Sequence, residues 1–264
     1  MKPLLLALVL APALAFGQSD RIKRPEPGKA PEKVEDDKTP RDPNKFAALA
    51  LLGDRVQLLA LTPARGDTVQ SGEWTATPAG TLDDAVLQAL NEAVKASGDK
   101  REAKLYTSTT RSLFGDPANL FVDGRLSLPG NLTAAVRQSG AANLLLVTRS
   151  RQEPALAAAL PGRILATLEG PGFVLDQRPS GQIGFDGQPG KPVFAPFVSI
   201  RVALIDLTDM RLKREQSLAV AARLPVEAGE ANPWATTAPE QRVKALEALI
   251  EAEMPRVMKG LVAP

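Results

Sequence analysis

The chain contains neither cysteine nor histidine. The first absence excludes disulfides, thiol nucleophiles, lipid-acylated anchors and cysteine-held iron–sulfur clusters. The second excludes every Ser-His triad and histidine-bearing zinc site. Aromatic residues make up 4% of the 264, with one Tyr and two Trp. Stacking platforms for bases or sugars are therefore scarce. No sign of charge dominates: 32 Lys and Arg against 30 Asp and Glu leave a net +2. That is no field for recruiting nucleic acid or an anionic membrane. No run reaches the ~20 apolar residues of a membrane-spanning helix. What remains is a globular composition, 44% hydrophobic and 23% charged, ample for a sizeable core.

Residues 1–15, MKPLLLALVLAPALA, carry one positive charge at Lys2, an apolar run Leu4–Leu10, and Ala13-Leu14-Ala15. This is the order of a secretory leader, with Ala13 and Ala15 as the small residues of the cleavage site. The mature chain is expected to begin near Phe16 in an exported compartment, with a periplasm fitting best. Residues 16–45 read as a tether. Gln18–Lys45 holds five prolines and fifteen charged residues of mixed sign, with Ile22 and Val34 its large apolar residues. Such a segment buries too little surface to offset its chain entropy and is expected to be disordered.

Residues 46–264 read as one domain. Phe46–Leu52 and Val56–Leu61 are apolar runs joined tightly through Gly53-Asp54, and Glu73–Thr77 is a third strand candidate. Leu82, Ala85, Val86, Ala89, Leu90, Ala93 and Val94 form a helical stripe. Thr81 and Asp84 resemble a capping box, and Gly98 suits a left-handed stop. Short strands are expected at Ala103–Thr107 and Leu126–Leu128, and a helix from an Asn131 cap to Ser139. Gly140 and the continuous run Leu144–Val147 follow, the pattern of a central strand covered on both faces. Glu169-Gly170-Pro171-Gly172 reads as a hairpin turn between Ile164–Leu168 and Phe173–Gln177. Phe197–Leu207 and Leu212–Leu224 alternate as two long strands. A final helix is expected from a Thr237/Glu240 capping box, its stripe running through Val243, Leu246, Ile250, Met254, Val257 and Leu261. Pro255 should kink or shorten it. Alternating strands and helices with a late strand pair indicate an α/β class, or α+β, with a single mixed sheet, packed helices and a C-terminal helix.

Chemical motifs are few. Ser97-Gly98-Asp99-Lys100 matches Ser-x-x-Lys, but its serine closes a helix instead of opening one. Acids recur in loops and turns (Asp116, Asp123, Asp176, Asp186, Asp206, Asp209), and Asp83-Asp84 suits a helix start. No motif implies a cofactor or metal. The stretch Gly181–Lys191 lacks the hydroxyl of a phosphate loop. Its length makes Gly181, Gly184, Phe185 and Gly187 the first candidates for a partner-contacting loop. Asn131-Leu132-Thr133 is formally a sequon, with a local capping role for Asn131. Trp74, Tyr106, Phe173 and Trp234 are the aromatic candidates for a ligand-pocket wall.

Ala141-Ala-Asn-Leu-Leu-Leu-Val147, followed by Val198-Ser-Ile-Arg-Val-Ala-Leu-Ile-Asp206-Leu-Thr-Asp209, resembles a group of envelope proteins. These are the curli-secretion lipoprotein, the outer-membrane lipoprotein activators of penicillin-binding proteins, and the amino-terminal domain of the Tol-system propeller protein. Leu82–Ser97 is similar to their first helix. Asn143 stands where that group has Asp, Asp209 where it has Gly, and the anchoring Cys is missing. The resemblance covers about half the domain and carries over no functional residue. It implies a compact α/β domain that binds other envelope proteins, similar to proteobacterial periplasmic proteins more widely. The expectation from sequence is a non-enzymatic, envelope-associated binding or assembly factor with an envelope protein as partner. A small-ligand-binding domain is the alternative, and a carboxylate or Ser97–Lys100 hydrolase is the third reading.

Overall fold

The computed structural model describes residues 40–64, 67–151, 167–177, 193–226, 230 and 232–262. These fall within one compact unit, 38–264. The leader, with Ala13 and Ala15, and the loop bearing Gly181, Gly184, Phe185 and Gly187 lie outside the described residues, as does most of the tether.

The apolar runs become strands of an eight-stranded mixed sheet, and the molecule is α/β as its alternating pattern implies. β1 (Asp42–Leu51) starts four residues ahead of its apolar run. The extension carries a register shift at Pro43–Lys45, which accommodates a proline that has no N–H for a ladder. β2 spans Arg55–Ala64 and β3 Asp67–Ala76. β4 is Glu102–Tyr106, β5 Phe121–Val122, β6 Arg125–Leu126 and β7 Ala141–Arg149. β8 is Gly170–Asp176, β9 Val193–Asp206 and β10 Leu212–Ala221.

β9 organises the sheet. Along one side it pairs with β10. Along the other it pairs with β7 and then β8, Arg149 facing Ile200 and Gly170 facing its neighbour Ser199. β7 and β8 are thus one long row with an excursion between them, and the bridge Arg151–Glu169 closes its neck. β1 and β2 run parallel to that row, also end to end, with Leu52-Gly53-Asp54 as the break. Their tight junction is as expected, yet they do not pair with each other. β4 and β3 form the outermost row.

The expected hairpin turn at Glu169–Gly172 is instead the start of β8. Gly172 is needed there for close approach: a Cβ would meet the Phe197 ring at 2.4 Å and the Gln57 carbonyl oxygen at 2.5 Å. The turn signal at Gly172 reflects packing.

Among the described residues four helices pack on the sheet: α1 (Thr81–Ala96), α2 (Gly130–Arg137), α3 (Pro233–Thr236) and α4 (Pro239–Val262). α1 and α4 cover one face, where Leu82, Val86, Leu90, Ile250 and Met254 meet Leu145, Val147, Ile200 and Val202. On the other face, α2 and the segment 111–126 cover Leu144, Leu146, Ala203 and Ile205. β7 is therefore buried on both faces, as its apolar run implied. Farther along that second face Leu59, Val174, Ala195 and Phe197 form a separate cluster.

Helix ends depart from expectation. Gly80, at φ 78°, holds the cap position of α1, and Thr81 makes no capping bond. At the far end Ser97 closes the helix in right-handed geometry and Arg101 Nη1 donates to its carbonyl, so Gly98 needs no left-handed turn. Pro129 precedes α2, leaving Asn131 inside the first turn, and Gly140 beyond the helix takes φ 73°. For α4 the cap moves one residue: Ala238 N–H donates to Gln241 Oε1, and Thr237 Oγ1 donates back to the Pro233 carbonyl. Pro255 does not shorten α4, because it faces solvent. Among the described residues no helix is long and apolar enough to cross a membrane.

Candidate functional site

Alternation along β7 and β9 puts Leu146, Thr148, Ser199, Arg201 and Ala203 on the face opposite α1 and α4. Thr148, Ser150 and Ser199 are buried there, and the resulting polar belt separates the two apolar clusters of that face. A cleft of about 510 Å³ opens over the belt. Its floor is Leu146, Thr148, Ser150, Arg201 and Ala203, with Leu212 and Glu215 from β10. The excursion after β4 supplies a wall at Asp116–Ala118, Phe121 and Gly124. Asp116 shapes this wall by accepting the Ala118 N–H at 3.0 Å, starting the 3-10 turn Pro117–Leu120.

The charges in the cleft are committed within the fold. Arg151 pairs with Glu169 at 2.5 Å and Arg201 with Glu215 at 3.5 Å. The Glu169 hydrogen bond holds Arg151 above its ordinary pKa. Gln57 fixes the excursion's return, donating to the Thr167 carbonyl and accepting the Glu169 N–H.

Arg149 is also among the cleft's lining residues and secures the break between β1 and β2. Its Nε donates to the Leu52 carbonyl at 2.6 Å and Nη2 to the Arg55 carbonyl at 3.3 Å. Trp74 stacks on its guanidinium, 4.7 Å from carbon to ring centroid. From α1, Asp83 Oδ1 accepts the Leu52 N–H at 2.7 Å, and its carboxylate also takes the Gly53 N–H. The break's peptide groups are thereby satisfied by two side chains distant in sequence. Burial pushes the Asp83 pKa up to about 6, against the pull of those two N–H groups and Arg149. Burial lowers Arg149, with Glu169 and Asp83 opposing.

The residues singled out from sequence lie mostly elsewhere. Ser97 Oγ donates to the Val94 carbonyl and accepts from Arg101, an arrangement that closes a helix. Asp206 and Asp209 shape the β9–β10 turn, accepting the N–H groups of Thr208 and Arg211. Burial raises Asp206, but the hydrogen bonds from Lys213 and Thr208 outweigh it and hold the carboxyl below its ordinary pKa. Among the described residues no three acids gather where a metal could sit. Tyr106 donates its hydroxyl to the Ala135 carbonyl. Phe173 and Trp234 pack together on the helix-covered face. Of the named acids and aromatics among the described residues, Asp116 alone lines the cleft, and Trp74 meets the lining residue Arg149. Arg149, Arg151, Glu169, Arg201 and Glu215 carry no site role in the reading of the sequence. A signal was present for Arg201, a charge on the opposite phase of β9 from Val198, Ile200 and Val202.

No family model and no curated sequence matches the chain. Solved structures similar to it include a DUF330 protein from Xanthomonas campestris, 11% identical over 83% of each chain with TM-score 0.33. Another is the PelC dodecamer from Paraburkholderia phytofirmans, 9% identical over 81% of this chain and 88% of that one, TM-score 0.29. A third is a neuraminyllactose-binding hemagglutinin homolog from Helicobacter pylori, 6% identical over 85% and 87%, TM-score 0.33. At these scores the neighbours carry no functional residue over to this chain.

Proposed function

We propose that the chain is an exported, non-enzymatic binding domain of the cell envelope that receives a segment of another envelope protein in the cleft, as an accessory factor in assembly. One observation carries this reading: of the three exposed large apolar side chains among the described residues, one lines the cleft and the other two stand on segments that border it. Leu212, 42% exposed, belongs to its lining. Val122, 59% exposed, stands on the β5–β6 hairpin, which bridges to β10 through Arg125 and Arg211. Trp74, 40% exposed, lies on the lining residue Arg149. These three are the exposed large hydrophobics among the described residues. Trp and Arg set among aliphatic groups over a concave surface are what protein interfaces bury. The internally paired charges support the same reading, since they leave a polar rim with little net charge for a partner to desolvate. Export rests on the leader pattern of residues 1–15.

A photo-crosslinking amino acid at position 212 tests this in cells, with one at Glu251 on the exposed side of α4 as control. Position 212 should capture one dominant envelope protein that position 251 does not. Identical capture lists would end the protein-binding reading. The cleft's volume favours a second reading, since it lies within the ~300–1,000 Å³ of small-molecule pockets. A thermal-shift screen with cell-wall fragments and periplasmic metabolites addresses it, as a ligand of the folded state raises the melting temperature.

A further inference from the structure

On the helix-covered face, away from the cleft, a second cavity of about 80 Å³ opens between the end of β3 and the start of α4. Phe173 and Trp234 form its base, meeting edge to face with centroids 5.4 Å apart. Phe194 stacks behind Phe173 at 5.0 Å, so the base is a rigid aromatic group. Val56, Val243 and Leu246 complete the apolar wall. Arg242 lies flat over Trp234, its guanidinium carbon 3.9 Å from the ring centroid.

Two polar atoms of this wall are buried without a hydrogen bond, Thr77 Oγ1 and Arg242 Nε. Such atoms are rare in folded proteins because desolvating them without a partner costs free energy. Among the described residues there are four, and two of the four share this one cavity. Stacking on Trp234 restrains Arg242 from swinging into water. Burial has already stripped part of its hydration, which lowers its pKa, with Glu240 opposing. The guanidinium nonetheless stays charged.

Both orphaned atoms can donate, and one belongs to a cation, so the complementary group is an anionic acceptor. A carboxylate suits a guanidinium N–H better than a neutral carbonyl does. The volume corresponds to ~5–8 waters, room for a carboxylate and a short side chain, and the cavity is open, so the rest of a larger ligand stays outside it. The remaining wall is aromatic and aliphatic, which suits a hydrocarbon tail. We propose that this cavity binds a carboxylate bearing a short apolar tail. The carboxylate accepts from Arg242 Nε–H and Thr77 Oγ1–H, and the tail lies on Phe173, Trp234 and Leu246. The same chemistry comes from a free short-chain acid or from the terminal residue of a polypeptide. This site is independent of the cleft and stands whether or not the cleft takes a partner.

The test uses the full chain with Trp74→Phe, which leaves Trp234 as the single tryptophan. Its emission is followed during titration with sodium butyrate, N-acetylvaline and, as a neutral isostere, butyramide, all at constant ionic strength. A carboxylate probe should give a saturable change with a dissociation constant of about millimolar, the range open to so small a ligand. Butyramide should bind at least tenfold more weakly. Arg242→Gln should weaken carboxylate binding at least tenfold and Thr77→Val about threefold. Thermal melts confirm that each variant is folded, and if one is not, the other still decides. Tighter binding of butyrate identifies a free acid as the source, and tighter binding of N-acetylvaline a chain terminus. A flat response to both carboxylates, equal binding of butyramide, or undiminished binding by a folded variant overturns the proposal.

Discussion

Asp83 is the residue on which the most depends for its size. It stands in the first turn of α1, where an acid would ordinarily serve the helix dipole, and instead turns inward to hold the peptide N–H groups of Leu52 and Gly53. Its folded-state pKa of about 6 lies above the ordinary 3.8. The folded state therefore binds this proton more tightly than the unfolded chain does. The associated stability is fully present below pH 3.8 and is lost as pH rises through 6. The difference amounts to ~3 kcal/mol. Asp83→Asn keeps an acceptor for the two N–H groups and has no proton to lose. Urea denaturation at pH 4 and pH 7 should show the stability difference between the two pH values changed by ~2 kcal/mol in the variant, because the unfolded chain's carboxyl is already partly ionised at pH 4. An unchanged difference would mean that Asp83 titrates normally. Gly172 gives a second residue-scale expectation. With backbone and ring atoms at 2.4–2.5 Å from a would-be Cβ, Gly172→Ala should destabilise by about 3 kcal/mol, seen as a lowered urea midpoint with unchanged slope.

Among the elements, the breaks in the two long rows matter most. Sequence periodicity read β1 and β2 as separate strands because Gly53-Asp54 interrupts them, and that was right. Their end-to-end placement was hidden, since it depends on Arg149 reaching both sides of the gap from a different strand. The strand runs and the stripes of α1 and α4 were legible because burial imposes a period of two or 3.6. Caps were not, because several polar residues near each helix start can compete for the same N–H groups, and tertiary contacts choose among them. Pro255 is a related case. Within α4 it leaves the Glu251 carbonyl without its usual donor, on an exposed face where water can serve. Pro255→Ala should restore that bond and raise stability by ~1–3 kcal/mol, measured as a higher melting temperature. A lower melting temperature would show that the proline packs productively.

Across the whole molecule, burial is greatest along β7 and the centre of β9, which lie between covered faces. The Leu212–Gln216 half of β10 is exposed and sits at the sheet edge. Amide hydrogen exchange should therefore be slowest at Leu144–Val147 and Val202–Leu204, and fastest among β10 residues at Lys213–Gln216. Equal protection along β10 would imply that its edge is covered. The cleft is likewise a property of the whole. Its lining comes from β7, β9, β10, the segment after β4 and the residues that follow β7 and precede β8, so no stretch of sequence contains it. The loop candidates Gly181, Gly184, Phe185 and Gly187 remain an expectation about partner contact.

The sequence by itself determined the class of chemistry left to the protein, the α/β class, and which segments bury which face. Composition and periodicity are local quantities, and burial writes them directly into the chain. The pairing of strands into interrupted rows, the junction at Asp83 and Arg149, and both cavities were decided by tertiary structure alone. Each joins residues remote in sequence, as Leu52 with Arg149 and Thr77 with Arg242. A contact of that kind leaves no period or motif in the chain, because its free energy depends on two surfaces meeting in space.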